Sequence, residues 1–319
     1  MNNSYHIQYQ KLNTSEAKLL RIQSTSSHIT IPKFINGYTF VEIAPYCFCE
    51  NNRIKYTDIQ DEIIGSTAGL QEICGNALEE IVLPDSIKNI GNYAFYNCKK
   101  LRKIEFGADT TEIGSDAFMN TISLHQLTFR CAPSKKSGIK QILAHFSSDI
   151  EVIFLEKNEI KARLLYPEYY ESYDEIAPAH LFGRNIEGEG FRARQCIQDG
   201  IVDFAGYDGI FTQACVDESE KTLNRMALYR LQYPYALKEK DKKMYREYLE
   251  EHILLHPLIE ERALESLRFL CHEKILTGEK LTRTIALASE AGWAEGAAEL
   301  LQFKAKQTDK NNRYSFDEF

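Results

Sequence analysis

No stretch of this sequence approaches the roughly 18 consecutive apolar residues of a membrane-spanning helix, so a helical span is excluded. Cationic side chains are in the minority: 38 Lys and Arg stand against 46 Asp and Glu, a net charge of −8. That balance argues against a dedicated nucleic-acid binder, which needs a basic footprint. Proline and glycine are few, 8 and 17 in 319 residues, and follow no Gly-x-y period, which excludes collagen and low-complexity chains. The eight cysteines contain no CxxC pair, so neither a zinc knuckle nor a dithiol redox motif is written here. The closest two, Cys47 and Cys49, have the spacing of neighbours on one strand face. The opening MNNSYHIQYQ lacks the basic region and apolar stretch of a secretory signal. Together with scattered cysteines of core type, this sets the expectation of a reducing, cytoplasmic location. Gly-x-Ser-x-Gly, a P-loop and a recognisable Cys/His dyad are absent too. No residue is therefore expected to be catalytic, and none to hold a cofactor or a metal.

What is present is ordinary globular composition, 44% hydrophobic and 26% charged, in a chain too long for one core. Two domains, or one domain beside a repeat array, are implied. Self-similarity decides between them. Leu78, Leu101 and Leu124 are spaced by 23 residues, as are Ile81, Ile104 and Leu127, and Leu83, Phe106 and Phe129. Ile90, Gly91, Ala94 and Phe95 recur as Ile113, Gly114, Ala117 and Phe118. Upstream, Ile43 to Phe48 matches Ile90 to Phe95, and Ile29, Ile31 and Pro32 match Ile81, Leu83 and Pro84. Ile54, Thr57 and Ile59 are taken to open one more unit, with an irregular bulge at Asp61–Asn76, where the Ile-Gly-x-x-Ala-Phe element degenerates. Downstream, Ile150 and Val152 fill the next strand, and Ser137–Phe146 closes the array as a helical turn.

Leu-x-x-Ile-x-Leu is a short strand whose apolar side chains alternate inward, and Ile-Gly-x-x-Ala-Phe sends Ile and Phe back into the same interior. One such unit cannot bury itself, whereas a stack shares a continuous core. Tyr5–Ser24 has the alternation of a hairpin that caps the stack. With Ile90-Gly91-Asn92-Tyr93-Ala94-Phe95 and Cys98 before Leu101, the array resembles the BspA-type bacterial leucine-rich repeats. The resemblance implies a solenoid that presents a surface to other molecules, and it implies no catalysis.

Past about Pro167 the period stops and amphipathic runs begin. Ser219–Tyr233, Lys238–Leu255 and Glu260–Cys271 carry apolar residues at helical spacing. Asp217 is read as an N-cap ahead of an acidic first turn, with breaks at Thr277-Gly278 and Ala291-Gly292. Leu287 to Gly292, with Glu295 and Leu300-Leu301, resembles the helix-turn-helix half of an ankyrin repeat, without its Thr-Pro-Leu-His start. The fold expected is α+β by segregation: a capping hairpin over 1–24, leucine-rich repeats over 25–156, an all-α helical-hairpin domain over 157–307 and a flexible tail over 308–319.

Formal motifs fail on context. Gly188 to Ala193 fits Gly-x-Gly-x-x-Ala, but a helix end is expected at Gly183 and Glu187 and Glu189 would repel a pyrophosphate. His252 and His256 have metal-compatible spacing but no third ligand. Arg192 and Arg194, and the basic cluster Lys99, Lys100, Arg102 and Lys103, suit ion pairs or weak anion contact. The best surface is geometric. The residues flanking the central apolar position of each strand point outward, as the pairs His28/Thr30, Tyr56/Asp58, Glu80/Val82, Lys103/Glu105, Gln126/Thr128 and Asp149/Glu151. Stacking aligns them in one stripe for a protein partner, with Tyr56 as aromatic anchor. The competing readings are a ligand site or enzyme in the helical domain or at Glu156–Glu175, and surface adhesion.

Overall fold

In the computed structural model, which describes residues 4–51, 54–176 and 181–314, the chain divides into two compact units, Met1–Glu218 and Ser219–Phe319. The first unit opens on the expected hairpin: β1 (Tyr5–Lys11) pairs antiparallel with β2 (Glu16–Ser24). Asn13 closes their turn by accepting the Ser15 and Glu16 N–H groups, each at 2.9 Å. β3 (His28–Thr30), β4 (Phe34–Ile35) and β5 (Tyr38–Ile43) follow, and β5 lies parallel to β2. The hairpin thus pairs the strand edge at which the repeat sheet would otherwise end.

The next two strands leave the array. β6 (Ile59–Ile64) adds antiparallel to β1, and β7 (Gln71–Glu72) to β2. The unit expected at Ile54, Thr57 and Ile59 is therefore not a rung of the ladder, because β3 pairs directly with β8 (Glu80–Val82). Segment 61–76 lacks the second-strand residues and the inward Phe that close a coil, so it extends the N-terminal hairpin instead. The bulge expected at Asp61–Asn76 is part of this excursion.

From β8 the coils are regular. β9 (Asn89–Ile90), β10 (Lys103–Phe106), β11 (Glu112–Ile113) and β12 (Gln126–Phe129) alternate between two parallel ladders: β5, β9 and β11 in one, β3, β8, β10 and β12 in the other. Ile29, Ile81, Ile104 and Leu127 line the interior. The Phe48, Phe95 and Phe118 rings stack at centroid distances of 4.9 and 5.2 Å, and Phe106 and Phe129 at 5.0 Å. Each ring meets its own equivalent one coil on. A methyl at Gly91 would strike the Ala44–Pro45 backbone, and one at Gly114 the Gly91–Asn92 backbone, which is why the element carries glycine there.

α1 (Ile139–Leu143) closes the array as expected and lengthens its coil. In consequence β13 (Ile150–Glu156) sets Val152, not Ile150, beside Leu127, a shift of two residues from the sequence expectation. β14 (Glu159–Tyr166) returns antiparallel on β13, and β15 (Tyr170–Ile176) pairs with β16 (Leu181–Glu187) in a separate two-stranded ribbon. The region assigned to helices from 157 thus begins with strands, and Gly183 lies inside β16. Ala162, Leu164 and Tyr166 are fully buried at alternate positions, a strand signal that was hidden once the 23-residue period ended. α2 (Gly190–Gln195), β17 (Ile197–Gln198), β18 (Ile201–Val202), α3 (Phe204–Gly209) and α4 (Phe211–Asp217) complete the unit.

The second unit contains α5 (Glu220–Gln232), α6 (Glu239–His252), α7 (Leu255–Glu260), α8 (Leu264–His272), α9 (Gly278–Glu290) and α10 (Ala294–Tyr314). Ser219, not Asp217, caps α5: its hydroxyl accepts the Thr222 N–H at 3.2 Å, while Asp217 ends α4. Asn224 ties the α6–α7 turn, donating to His252 O at 2.9 Å and accepting from Leu254 N at 2.8 Å. The hairpins α7–α8 and α9–α10 repeat each other's turn. Ala263 N to Leu258 O and Trp293 N to Ala288 O both span 2.9 Å, and Glu261 N to Pro257 O and Ala291 N to Leu287 O both span 3.0 Å. Arg262 and Gly292 hold the equivalent left-handed position, at φ 49° and 66°. α10 continues through Tyr314, so the tail expected to fray from 308 is helical in its first part, and 315–319 lie outside the described residues.

Candidate functional site

The outward face of the six-stranded sheet is built by register. Parallel pairing sets His28, Glu80, Lys103, Gln126 and Glu151 side by side, and beside them Thr30, Val82, Glu105, Thr128 and Ile153. The inward residue between each pair is buried, so the flanking ones must face away from the core. Nine of the twelve residues expected to line the stripe are brought together: His28, Thr30, Glu80, Val82, Lys103, Glu105, Gln126, Thr128 and Glu151. Tyr56 and Asp58 are not among them. They precede β6, which belongs to the other sheet. The Tyr56 hydroxyl donates to Pro45 O at 3.1 Å, and burial pushes its pKa up to about 12. On β13 the stripe takes Glu151 and Ile153 in place of Asp149 and Glu151, following the two-residue shift.

Exposure falls along the face. His28 and Thr30 are open to solvent, whereas Thr128, Glu151 and Ile153 are buried. Two arginines that sequence reasoning missed lie at that closed end. Arg130 reaches Glu105 at 2.6 Å, Asp85 at 3.0 Å and the Leu83 carbonyl. Arg163, opposite Ile153 on β14, meets Glu151 at 2.7 Å. Arg130 was findable, since it continues the outward alternation of Gln126 and Thr128. Lys103 meets Glu80 at 3.7 Å, and Glu79 receives Arg102 at 2.7 Å and His28 at 3.5 Å. The charges of this face are thus largely answered within the face, which leaves it polar and pre-organised.

The formal motifs resolve into structure. Gly188, at φ 87°, turns β16 into α2, and a Cβ at Gly190 would strike the Pro167 carbonyl, so both glycines serve close packing. Arg192 pairs with Glu189 at 3.0 Å, and buried Arg194 donates to Pro167 O, Gly190 O and Ser148 O at 2.6, 2.9 and 2.8 Å. His252 ends α6 and His256 lies in α7, so they share no helix face. Among the described residues no group of three His, Cys, Asp or Glu could hold a metal ion, and no helix is long and apolar enough to cross a membrane. Cavities of about 430 Å³ beside Arg21 and Tyr56, and about 380 Å³ beside Arg130 and Lys135, sit at the small end of ligand pockets. Arg21 is already committed to Cys49 O at 2.7 Å, Cys47 O at 3.1 Å and Glu72 at 3.3 Å.

With this geometry in hand, comparison with known proteins finds one family. The description "BspA type leucine rich repeat region" matches residues 23–137 and 71–164, in six copies. Solved structures of three bacterial proteins are similar. A leucine rich cell surface protein from Faecalibacterium prausnitzii A2-165 is 22% identical over 39% of this chain and 28% of its own, with a TM-score of 0.27. A leucine-rich repeat protein from Bacteroides capillosus ATCC 29799 is 21% identical over 38% of this chain and 76% of its own, with a TM-score of 0.29. A T. pallidum leucine rich repeat protein is 21% identical over 46% of this chain and 67% of its own, with a TM-score of 0.27. No curated protein matches the sequence.

Proposed function

We propose that this chain, whose residues 23–164 are repeats of the BspA type, is a recognition module that binds a protein partner through the outward face of its six-stranded sheet and performs no catalysis of its own. The observation that carries the reading is the register. His28, Glu80, Lys103 and Gln126 stand in one row on four paired strands, with Thr30, Val82, Glu105 and Thr128 in the next. Stacked coils present such rows as an extended surface of fixed spacing, the kind solenoids use for partners. Ion pairs within the rows hold the side chains, so less is lost in ordering them on association. A cytoplasmic setting belongs to the same proposal, supported by eight free cysteines, four of them buried in the first unit and one in the second. Ankyrin-like hairpins are proposed for α7–α10, supported by their shared turn geometry.

The test is affinity capture from native lysate with the whole chain as bait. Lys103→Glu combined with Gln126→Arg should reduce the captured partner at least tenfold, because both sit mid-row, while Tyr56→Ala should leave it unchanged. Equal capture by wild type and the double variant, with melting temperature preserved in both, rules this face out. A partner lost on Tyr56→Ala would place the surface on the other sheet.

A further inference from the structure

The turn edge of the coils, formed by the Ile-Gly-x-x-Ala-Phe segments after β5, β9 and β11, has the opposite character to the strand face. Its inward Phe rings are buried, but its outward positions form an apolar ridge across successive coils. Tyr46 and Tyr93 stack at 5.0 Å with planes 15° apart, and Tyr96 stands edge-on to Tyr93 at 6.0 Å. Met119 holds the repeat position of Tyr96 and is 49% exposed, and Ile122 holds that of Lys99 and is 74% exposed. The register there is pinned on both sides. Asn120 Nδ2 donates to Asn97 Oδ1 at 2.6 Å, and His125 N donates to Arg102 O at 3.2 Å. Lys99 and Ile122 are therefore neighbours on adjoining coils.

Single exposed apolar side chains are common, whereas a contiguous ridge marks an interaction surface. Charge says what kind. Lys99 and Lys100 are exposed, and among the described residues neither stands within 4.0 Å of a carboxylate, while Arg102 and Lys103, next along the chain, each hold one. Of the acids in the same set of turns, Asp116 sits beside the Tyr93 hydroxyl, and the Glu50 carboxylate lies against Gly75. An apolar ridge beside two uncompensated cations fits a partner that brings both apolar side chains and carboxylates.

We infer that the turn edge around Tyr96, Met119, Ile122, Lys99 and Lys100 is a second docking surface, distinct from the strand face, and that it takes an acidic polypeptide segment bearing aromatic or aliphatic side chains. The probe is a fluorescent glutamate–tyrosine copolymer titrated against the full chain, with a lysine–tyrosine copolymer as the charge control. The acidic copolymer should bind saturably and weaken with added salt, and any binding of the basic one to this net-negative chain should not be weakened by charge changes at the turn edge. Lys99→Glu combined with Ile122→Glu should weaken binding at least tenfold at unchanged melting temperature, and Lys103→Glu with Gln126→Arg should leave it within twofold. Absence of acidic-copolymer binding, loss of basic-copolymer binding in the Lys99 and Ile122 double variant, or indifference of the acidic copolymer to those changes overturns the inference. So does sedimentation showing that the ridge is covered by a second copy of the chain in a dimer which the same double variant dissociates. Loss on the Lys103 variant alone would assign the peptide to the strand face.

Discussion

The two repeat systems of this chain keep their periods by different means. In the solenoid, adjacent coils are hydrogen-bonded to each other through the backbone, as Lys103–Gln126 and Glu80–Lys103 pairing shows. That bonding fixes each side chain opposite its own equivalent, so Phe95 must lie between Phe48 and Phe118. Identity at a fixed spacing is then the simplest way to fill the core. In α7–α10 every helix satisfies its backbone internally, and only the turns recur. The side chains between hairpins are free to trade volume: Ala263 and Leu267 at one level correspond to Trp293 and Ala297 at the next, all but Ala263 buried. A period enforced by backbone pairing is visible in residues, and one enforced by packing is visible only in geometry.

The largest test of that distinction removes a rung. Phe95→Ala should cost the repeat unit about 3–5 kcal/mol, the usual loss for a buried Phe. The ring is fully buried between two partners that cannot move together without breaking backbone bonds. The single tryptophan of the chain, Trp293, is buried in the helical unit and reports on that unit alone. In urea, the circular dichroism of the sheet should therefore unfold earlier in Phe95→Ala while the tryptophan fluorescence midpoint stays in place. Leu267→Ala should do the converse, at about 2–5 kcal/mol. If either change moves both midpoints equally, the two units unfold as one and the comparison fails.

Glycine separates the two systems at a smaller scale. Gly91→Ala forces a methyl into the backbone of the neighbouring coil, and about 1–3 kcal/mol should be lost from the sheet transition, as for overpacking. At Gly292 there is open space around the added methyl, and only the left-handed φ of 66° is strained, about 1–2 kcal/mol on the fluorescence transition. Arg262 occupies the equivalent position of the preceding hairpin, so a non-glycine residue is tolerated there. A Gly292→Ala variant more damaged than Gly91→Ala would reverse the argument.

This difference accounts for what the sequence disclosed. The coils from Leu78 to Phe129, the capping hairpin, the closing helix at Ile139–Leu143 and the helices at Glu220–Gln232 and Glu239–His252 were legible, because each repeats its pattern over enough residues. Residues 54–76 were misread because the triplet Ile54, Thr57 and Ile59 imitates a strand opening, and the degenerate element after it reads as a bulge in a coil although it lacks the Phe that would close one. The ribbon of β15 and β16 was misread because its described side chains are exposed on both faces, so no alternation of apolar and polar residues marks it. At the candidate face, direction was legible from alternation. Membership was not, since it depends on which strand pairs with β3. The likeness of the α7–α8 turn to the α9–α10 turn could not be read from residue identity, since the two share geometry rather than residues.

The smallest effect concerns the thiols. Burial, before any charge effect, holds the Cys47 and Cys98 thiols well above their ordinary value of 9.0, and the Cys98 thiol also donates to Phe48 O at 3.3 Å. In the helical unit burial raises Cys271 to about 11. A raised thiol pKa means that the folded chain prefers the neutral form. The contribution is complete below about pH 9, where both states are protonated, and is lost as pH climbs toward the folded value, because the unfolded chain ionises first. The repeat unit holds Cys47, Cys98 and Cys131, the last pushed up to about 11 by burial, and the buried phenol of Tyr166 shifts the same way. Its unfolding midpoint should accordingly fall more steeply between pH 9 and 11 than that of the helical unit, whose one cysteine is Cys271. Just below pH 9, above the range in which His145 and the carboxylates titrate, the two should run parallel. Cys98→Ala should flatten the alkaline fall of the sheet transition without touching the fluorescence transition. A slope that persists unchanged in that variant would mean that the Cys98 thiol lies in contact with water, and that the coil around it is less tightly closed than the stacked rings imply.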